Sequence, residues 1–318
     1  MRVLVTGANG FIGRALCRSL TESGTEVTAV VRSDVPVRFG TKLVLDIMCE
    51  ENSGELTRAL TGVDSVVHTI GLTHAEAQAS SGAESQFEKT NIKITSLLAQ
   101  ACKEAKIEML VYLSSVKAAA EMSPISPDGQ SLPITETMTP QPAGLYGQSK
   151  LRAEQALIEI LAQSTTRGVI IRPPLVYGVG QKGNMATLFS AVKLGLPLPF
   201  ADTSNHRSII AVDNLCDAIK TVLNRGASRS NVYYVADECL STAALVKRIA
   251  DALGVKARLL RCPEIILKFL TKSRRFGDRC QKLFGSLIVD DTKFRAEFDW
   301  QPPVSPADVF KAIAESSR

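Results

Sequence analysis

The chain opens Arg2-Val3-Leu4-Val5-Thr6-Gly7-Ala8-Asn9-Gly10-Phe11-Ile12-Gly13, a β-branched run, a glycine-punctuated turn and the start of an apolar-periodic segment. Residues 2 to 6 read as a buried strand and Phe11 to Leu20 as a helix, so the three glycines fall between a strand end and a helix start. Gly7 and Gly10 let the backbone turn sharply, and Gly13 lets the helix pack close to the sheet. The unpaired N–H groups and positive dipole end of such a helix suit a phosphate. A glycine triplet alone is weak evidence, since glycines serve ordinary tight turns. In this position it predicts a parallel α/β fold holding a dinucleotide at the turn made by Gly7, Asn9, Gly10, Phe11, Ile12 and Gly13.

The pattern continues outward from that turn. Glu26 to Val31, Leu43 to Leu45, Asp64 to Ile70 and Glu108 to Leu113 read as further buried strands, and Glu84 to Lys106 carries apolar residues at helical spacing. Strand and helix alternating in this way predict a doubly wound parallel sheet of the Rossmann kind. Residues 121 to 144 hold five prolines and two glycines and read as a long loop; loops of that length accompany functional sites. A helix from Tyr146 to about Gln163 and a sixth strand, Gly168 to Arg172, follow. Beyond Pro173 and Pro174 the pattern is less regular: a helix near Asn184 to Leu194, a strand near Arg207 to Val212, and helices near Asp213 to Asn224 and Ser241 to Leu253. The expected division is a dinucleotide-binding unit over 1–173, receiving returns from the later chain, and a smaller, partly interleaved substrate lobe over 174–318.

Composition bounds the function. In 318 residues, 45% are hydrophobic and 22% charged, ordinary globular values that exclude disorder and coiled-coil architecture. No apolar run approaches the ~20 residues of a spanning helix. The first strand begins at once, without the pattern of an export signal, so a cytoplasmic location is expected. Seven scattered cysteines without a C-x-x-C predict reduced, buried thiols and no metal cage. Residues 256 to 282 hold nine Lys/Arg against Glu264 and Asp278, whereas the whole chain carries only +5. With Ile265, Ile266, Leu267, Phe269 and Leu270 among the cations, the segment is expected to cover the substrate site in preference to resting on an anionic membrane. No nucleic-acid partner is expected.

Cofactor choice depends on the end of the second strand, where an acid would accept hydrogen bonds from an adenosine 2′-hydroxyl. Here Val30-Val31-Arg32-Ser33 carries no acid before Asp34. Arg32, assisted by Arg14, can bind a 2′-phosphate, which favours NADP(H) over NAD(H). The bland alternative is a pair of surface arginines. Asp46, with Ile47 beside it, is placed either to hold an adenine amino group or to make a turn.

Tyr146-Gly147-Gln148-Ser149-Lys150 sets Tyr146 and Lys150 four residues apart, on one face of a helix. An ammonium beside a phenol favours the phenolate, so Tyr146 can exchange a proton with a substrate oxygen. Ser115, at the mouth of the fifth strand, offers a hydroxyl to orient the same oxygen.

The glycine turn, Val66-Val67-His68-Thr69, Asn91, Ser114-Ser115, Tyr146-Gly147-Gln148-Ser149-Lys150 and Arg172-Pro173-Pro174-Leu175-Val176-Tyr177-Gly178 together resemble the extended short-chain dehydrogenase/reductases through nearly the whole chain. The resemblance implies Ser115, Tyr146 and Lys150 as a catalytic triad, Lys150 also holding the nicotinamide ribose. It sets His68, Thr69 and Pro173 along the cofactor, although His68 equally reads as a packed strand-end residue, and Asn91 as support for the site or as a structural amide. Gly183-Asn184, Gly195-Leu196-Pro197-Leu198-Pro199 and Asn205-His206-Arg207-Ser208 look like the nucleotide-sugar branch of that family. There Asn184 contacts the diphosphate, Leu198 lines the uracil and Arg207 clamps phosphate oxygens, with a strand-edge charge as the plain alternative for Arg207. A homodimer is expected on the same ground.

Within the family the sequence is most like bacterial reductases of UDP-4-keto-6-deoxy-N-acetylhexosamines, and next like UDP-hexose 4-epimerases. It runs Lys117-Ala118-Ala119-Ala120 where those reductases continue Lys-Val-Asn-Gly. Sugar 4,6-dehydratases of the family carry Asp-Glu directly after the catalytic hydroxyl residue. Val116 and Lys117 stand there instead, and without carboxylates the elimination lacks its acid and base. An epimerase retains NAD, whereas a reductase needs a cofactor that arrives reduced, so Arg32 favours the reductase. A non-catalytic NADP(H) sensor on this fold would be expected to lose Tyr146 or Lys150, and both are present.

Overall fold

The computed structural model describes residues 1–49, 53–72, 82–181, 183–227, 230–261 and 284–317. Strand β1 (Arg2–Thr6), helix α1 (Phe11–Glu22), β2 (Glu26–Val31), β3 (Thr41–Val44), α2 (Ser53–Leu60) and β4 (Ser65–His68) form the first half of a parallel sheet. The second half adds α3 (Ala83–Phe87), α4 (Ile94–Glu104), β5 (Met109–Leu113), α5 (Leu145–Leu161) and β6 (Arg167–Arg172). With β9 (Asn231–Tyr234) at the far edge, the full order is β3-β2-β1-β4-β5-β6-β9, so the direction of winding reverses between β1 and β4. In open α/β sheets ligands bind outside the carboxyl ends of the strands at that reversal.

Both faces of the sheet are covered, which is why its strands read as continuous apolar runs. Val3, Val5, Val27 and Val111 point toward α1 and α7 (Val212–Arg225), while Leu4, Val66, Leu110 and Tyr112 point toward α2, α4 and α5.

The structure corrects the expected single helix over Glu84 to Lys106. A π-turn over Glu88–Lys93 separates α3 from α4. The wider turn rotates the chain so that Asn91 faces inward while Phe87 and Ile94 stay buried, and such bulges concentrate at functional sites.

The later chain holds elements that its pattern did not announce. Strand β9 (Asn231–Tyr234) pairs in parallel with β6 and becomes the seventh strand of the main sheet. Helix α9 (Thr292–Phe298) packs Phe294, Phe298 and the following Trp300 against the α1 side of that sheet. A second sheet, β10-β8-β7, comprises β7 (Leu175–Tyr177), β8 (His206–Ala211) and β10 (Glu238–Ser241). Helices α6 (Asn184–Lys193), α8 (Thr242–Leu253) and α10 (Pro306–Ser316) close a separate core around Tyr177, Phe189 and Phe310. Strands of three or four residues carry too little periodicity to be read locally.

Among the described cysteines, Cys17, Cys102 and Cys216 are buried as expected, but Cys239 is exposed. Among the described residues no helix is long and apolar enough to cross a membrane. The amphipathic stretch expected after residue 261 lies outside the described residues.

Candidate active site

The glycine turn is built as the three glycines require. Gly7 has φ +71°, and a Cβ there would stand 2.8 Å from Thr69 Oγ1. A Cβ on Gly13 would stand 2.1 Å from the Gly7 carbonyl oxygen, so α1 starts in contact with the turn itself. Helix α1 has neither a side-chain cap nor an acidic residue in its first turn, which leaves its first N–H groups and dipole for an anion. These features fit a dinucleotide pyrophosphate. Gly13→Ala is expected to reduce dinucleotide affinity by roughly tenfold or more through overpacking, as read by fluorescence titration of a folded variant.

The neighbouring positions divide. Asn9 and Gly10 are exposed at the turn, whereas Phe11 and Ile12 are half-buried against the core. Thr69 donates its hydroxyl to the Thr6 carbonyl at 2.7 Å and ties β4 to the turn. Arg14 and Arg32 are exposed, the latter directly after β2. Asp34 is 2.5 Å from Lys42, and this hydrogen-bonded cation holds its carboxyl below the usual range. Asp46 accepts the Met48 N–H at 3.0 Å, the turn bond expected as its alternative role, and the Ile47 side chain is buried.

His68 has the packing contacts of a strand-end residue. Its imidazole is fully buried, stacked on Tyr112 with ring centroids 5.4 Å apart, and its nitrogens meet Thr6 Oγ1 at 2.7 Å and Thr95 Oγ1 at 3.1 Å. Burial pulls its pKa down to about 3, so the ring is neutral. The side chain fastens β4 to β1 and α4.

The catalytic candidates lie just beyond the carboxyl end of β5 and on the first turns of α5, which packs beside it. Ser115 Oγ accepts the Lys117 N–H at 3.2 Å and caps the short turn Val116–Ala118, and its own proton remains to be donated. Ser114 points the other way and donates to the Glu154 carboxylate. Gly147 brings the first turn of α5 against that short turn, since a Cβ there would stand 2.3 Å from the Lys117 oxygen. Tyr146, half-buried in the same turn of α5, lies beside Phe87 with ring centroids 6.2 Å apart.

Lys150, one turn further along α5, is buried and donates to the Leu113 carbonyl at 3.0 Å and to the Tyr112 hydroxyl at 3.2 Å. Burial lowers its pKa to about 8 against the opposing pull of Glu154. Asn91 serves as a clamp: Oδ1 accepts the Leu72 N–H at 2.8 Å, and Nδ2 donates to Ser149 Oγ at 2.9 Å. It joins the exit of β4 to α5, beside the lysine.

Four supporting residues escaped the sequence reading. Glu154 continues the spacing of Tyr146 and Lys150, and it binds Arg172 through two bonds of 2.9 and 2.5 Å, with Tyr234 completing the group. The repeated interval of four was a usable signal. Gly71 leaves room for the lysine, because a Cβ there would stand 2.8 Å from Lys150 Nζ. Tyr112 sits in a run that reads simply as buried strand.

The nucleotide-sugar candidates lie on α6, in the chain after it and on β8. Asn184 is exposed at the start of α6, after Gly183 with φ +70°. Leu198 exchanges backbone hydrogen bonds with Arg258 and Leu260. Arg207 is half-buried and donates to the Gly285 carbonyl at 3.1 Å, and burial lowers its pKa. Pro173 is buried, its carbonyl accepting the Val116 N–H at 3.0 Å.

A winding reversal beside an uncapped helix, with a tyrosine and a lysine one turn apart at the adjoining strand ends, defines a nucleotide-dependent oxidoreductase. Residues 3–236 match the NAD dependent epimerase/dehydratase family. The chain belongs to that family and is an NAD(P)-dependent enzyme of the extended short-chain dehydrogenase/reductase type. It is 30% identical over 317 residues to a UDP-glucose 4-epimerase of Vibrio cholerae, covering 99% of this chain and 94% of that one. It is also 24% identical over 269 residues to 4-hydroxy-2-methyl-3-oxo-4-farnesyl-3,4-dihydroquinoline-1-oxide ketoreductase of Stigmatella aurantiaca, covering 83% and 76% of the two chains. The solved UDP-N-acetylglucosamine 4-epimerase of Bacillus cereus shares the fold, with a TM-score of 0.79 at 22% identity over 100% and 99% of the two chains.

Proposed function

We propose that this protein reduces the C4 keto group of a UDP-4-keto-6-deoxy-N-acetylhexosamine with NADPH. The observation that carries the cofactor choice is Arg32, exposed at the end of β2, while Asp34, the first acid beyond it, is engaged by Lys42. The triad Ser115, Tyr146 and Lys150 carries the chemistry in this reading. Tyr146 gives its proton to the C4 oxygen, Ser115 donates a hydrogen bond that orients that oxygen, and Lys150 binds the ribose and supports the phenolate. The nicotinamide, when bound, supplies the hydride. Thr69 and Pro173 border the dinucleotide, and Asn184, Leu198 and Arg207 hold the UDP portion from the second lobe, 174–318. Val116 is buried and Lys117 is paired with Glu121 at 3.0 Å, so an acid-base pair for dehydration is missing beside Ser115. A homodimer is part of the same reading, with Leu97 and Ile158 as exposed apolar side chains of α4 and α5 available to it.

One observation favours a second reading, a UDP-hexose 4-epimerase with retained NAD: the identity to the Vibrio cholerae protein spans nearly the whole chain. Incubation with NADPH and a panel of UDP-4-keto sugars separates the two. Stoichiometric loss of reduced-nicotinamide absorbance with a C4-hydroxy product supports the reductase. Interconversion of UDP-hexoses without added cofactor supports the epimerase.

Arg32→Asp is expected to weaken NADPH binding and improve NADH relative to it, because a phosphate contact becomes a repulsion. Paired titrations check this. Tighter binding of NADH by the unmodified protein would reverse the cofactor choice.

A further inference from the structure

We propose that Tyr112 is the positioning residue for Lys150, its phenol oxygen holding the lysine ammonium from beneath the site. The proposal deepens the reading of Lys150 given above and rests on it. Tyr112 lies in β5 opposite His68 and Ile170, fully buried on the α5 side of the sheet. A phenol among aliphatic side chains needs a polar partner. Its oxygen meets Lys150 Nζ at 3.2 Å, and Nζ stands 4.7 Å from the centre of the same ring.

Thr95, on the same side of the sheet, opposes the effect of burial on the Tyr112 phenol, and its Oγ1 donates to the Asn91 carbonyl at 2.6 Å and meets His68 Nε2 at 3.1 Å. Tyr112 thus presents lone pairs to the Lys150 ammonium. Of the three lysine donors, one goes to Tyr112 and one to the Leu113 carbonyl. The third is the one a ribose or Tyr146 can receive.

The surrounding charges do not replace this contact. Glu154, one turn away on α5, is engaged by Arg172 from β6 and by Ser114, with Tyr234 of β9 behind Arg172. His68 of β4 is neutral, and burial holds Tyr112 well above the ordinary phenol range, so it too is neutral. Tyr146 is the remaining titratable group on the same helix face. The Glu154 carboxylate opposes the effect of burial from one turn away, and the neutral acceptors Tyr112 and Leu113 stabilise the cation by direct contact.

Tyr112→Phe keeps the ring and removes only the oxygen. The test follows the Lys150 titration by NMR in lysine-labelled protein without ligand, alongside the pH profile of turnover. Losing an acceptor disfavours the charged amine, so the Lys150 midpoint is expected to fall by roughly one pH unit. The basic limb of kcat is expected to move down with it, and KM for the sugar nucleotide to stay nearly constant. Thr95→Val, which removes the hydroxyl that interacts with the phenol, serves where Tyr112→Phe does not fold, and is expected to shift the midpoint the same way by less. A lowered melting temperature with an unmoved Lys150 midpoint would mean a packing role and would overturn the proposal. A shifted midpoint supports it even where no UDP-sugar is turned over, a result that would sink the functional reading alone.

Discussion

Tyr146→Phe is expected to lower turnover by roughly 10²-fold or more while leaving dinucleotide affinity nearly unchanged. The substitution keeps the ring beside Phe87 and removes one hydroxyl from a half-buried position. The glycine turn and the buried Lys150 are untouched, so the dinucleotide keeps its contacts. What is lost is the proton delivered to the developing alkoxide, and Ser115 cannot replace it, because its own basicity is far from the working range. Steady-state kinetics with a separate binding titration check the split. Turnover retained within about threefold would remove Tyr146 from the mechanism.

The second large effect is on stability. Glu154→Ala is expected to destabilise the fold by on the order of 3–5 kcal/mol, because it leaves the Arg172 guanidinium buried without its carboxylate. The two side chains are 2% and 6% exposed. Burial disfavours the Arg172 cation, and Glu154 more than offsets it, holding the pKa above the ordinary value. Ser114 loses its acceptor in the same variant. Denaturant unfolding of the purified protein measures the loss. The double change Glu154→Ala with Arg172→Met is expected to recover much of it, since an apolar pair leaves no uncompensated charge. A single variant as stable as the parent would show that water reaches this pair.

Ser114 and Ser115 illustrate how far the chain could be read locally. The pair at a strand end pointed to the site, but two adjacent hydroxyls in a strand face opposite ways. Only the position of Glu154 decides that Ser114 turns inward, leaving Ser115 as the candidate. His68 is similar: its strand-end position was legible, and its burial between Thr6, Thr95 and Tyr112 was not.

The sequence by itself determined the doubly wound sheet, the glycine turn and the helix that carries Tyr146 and Lys150. Each depends on local periodicity or on backbone freedom at a single residue, and both are encoded within a dozen positions. The tertiary structure alone decided that β9 completes the main sheet, that Asn91 points inward from a π-turn, and that Tyr112 reaches Lys150. These features join residues 38 to more than 60 positions apart. Their partners are chosen by packing against the whole sheet, which no short window of sequence contains.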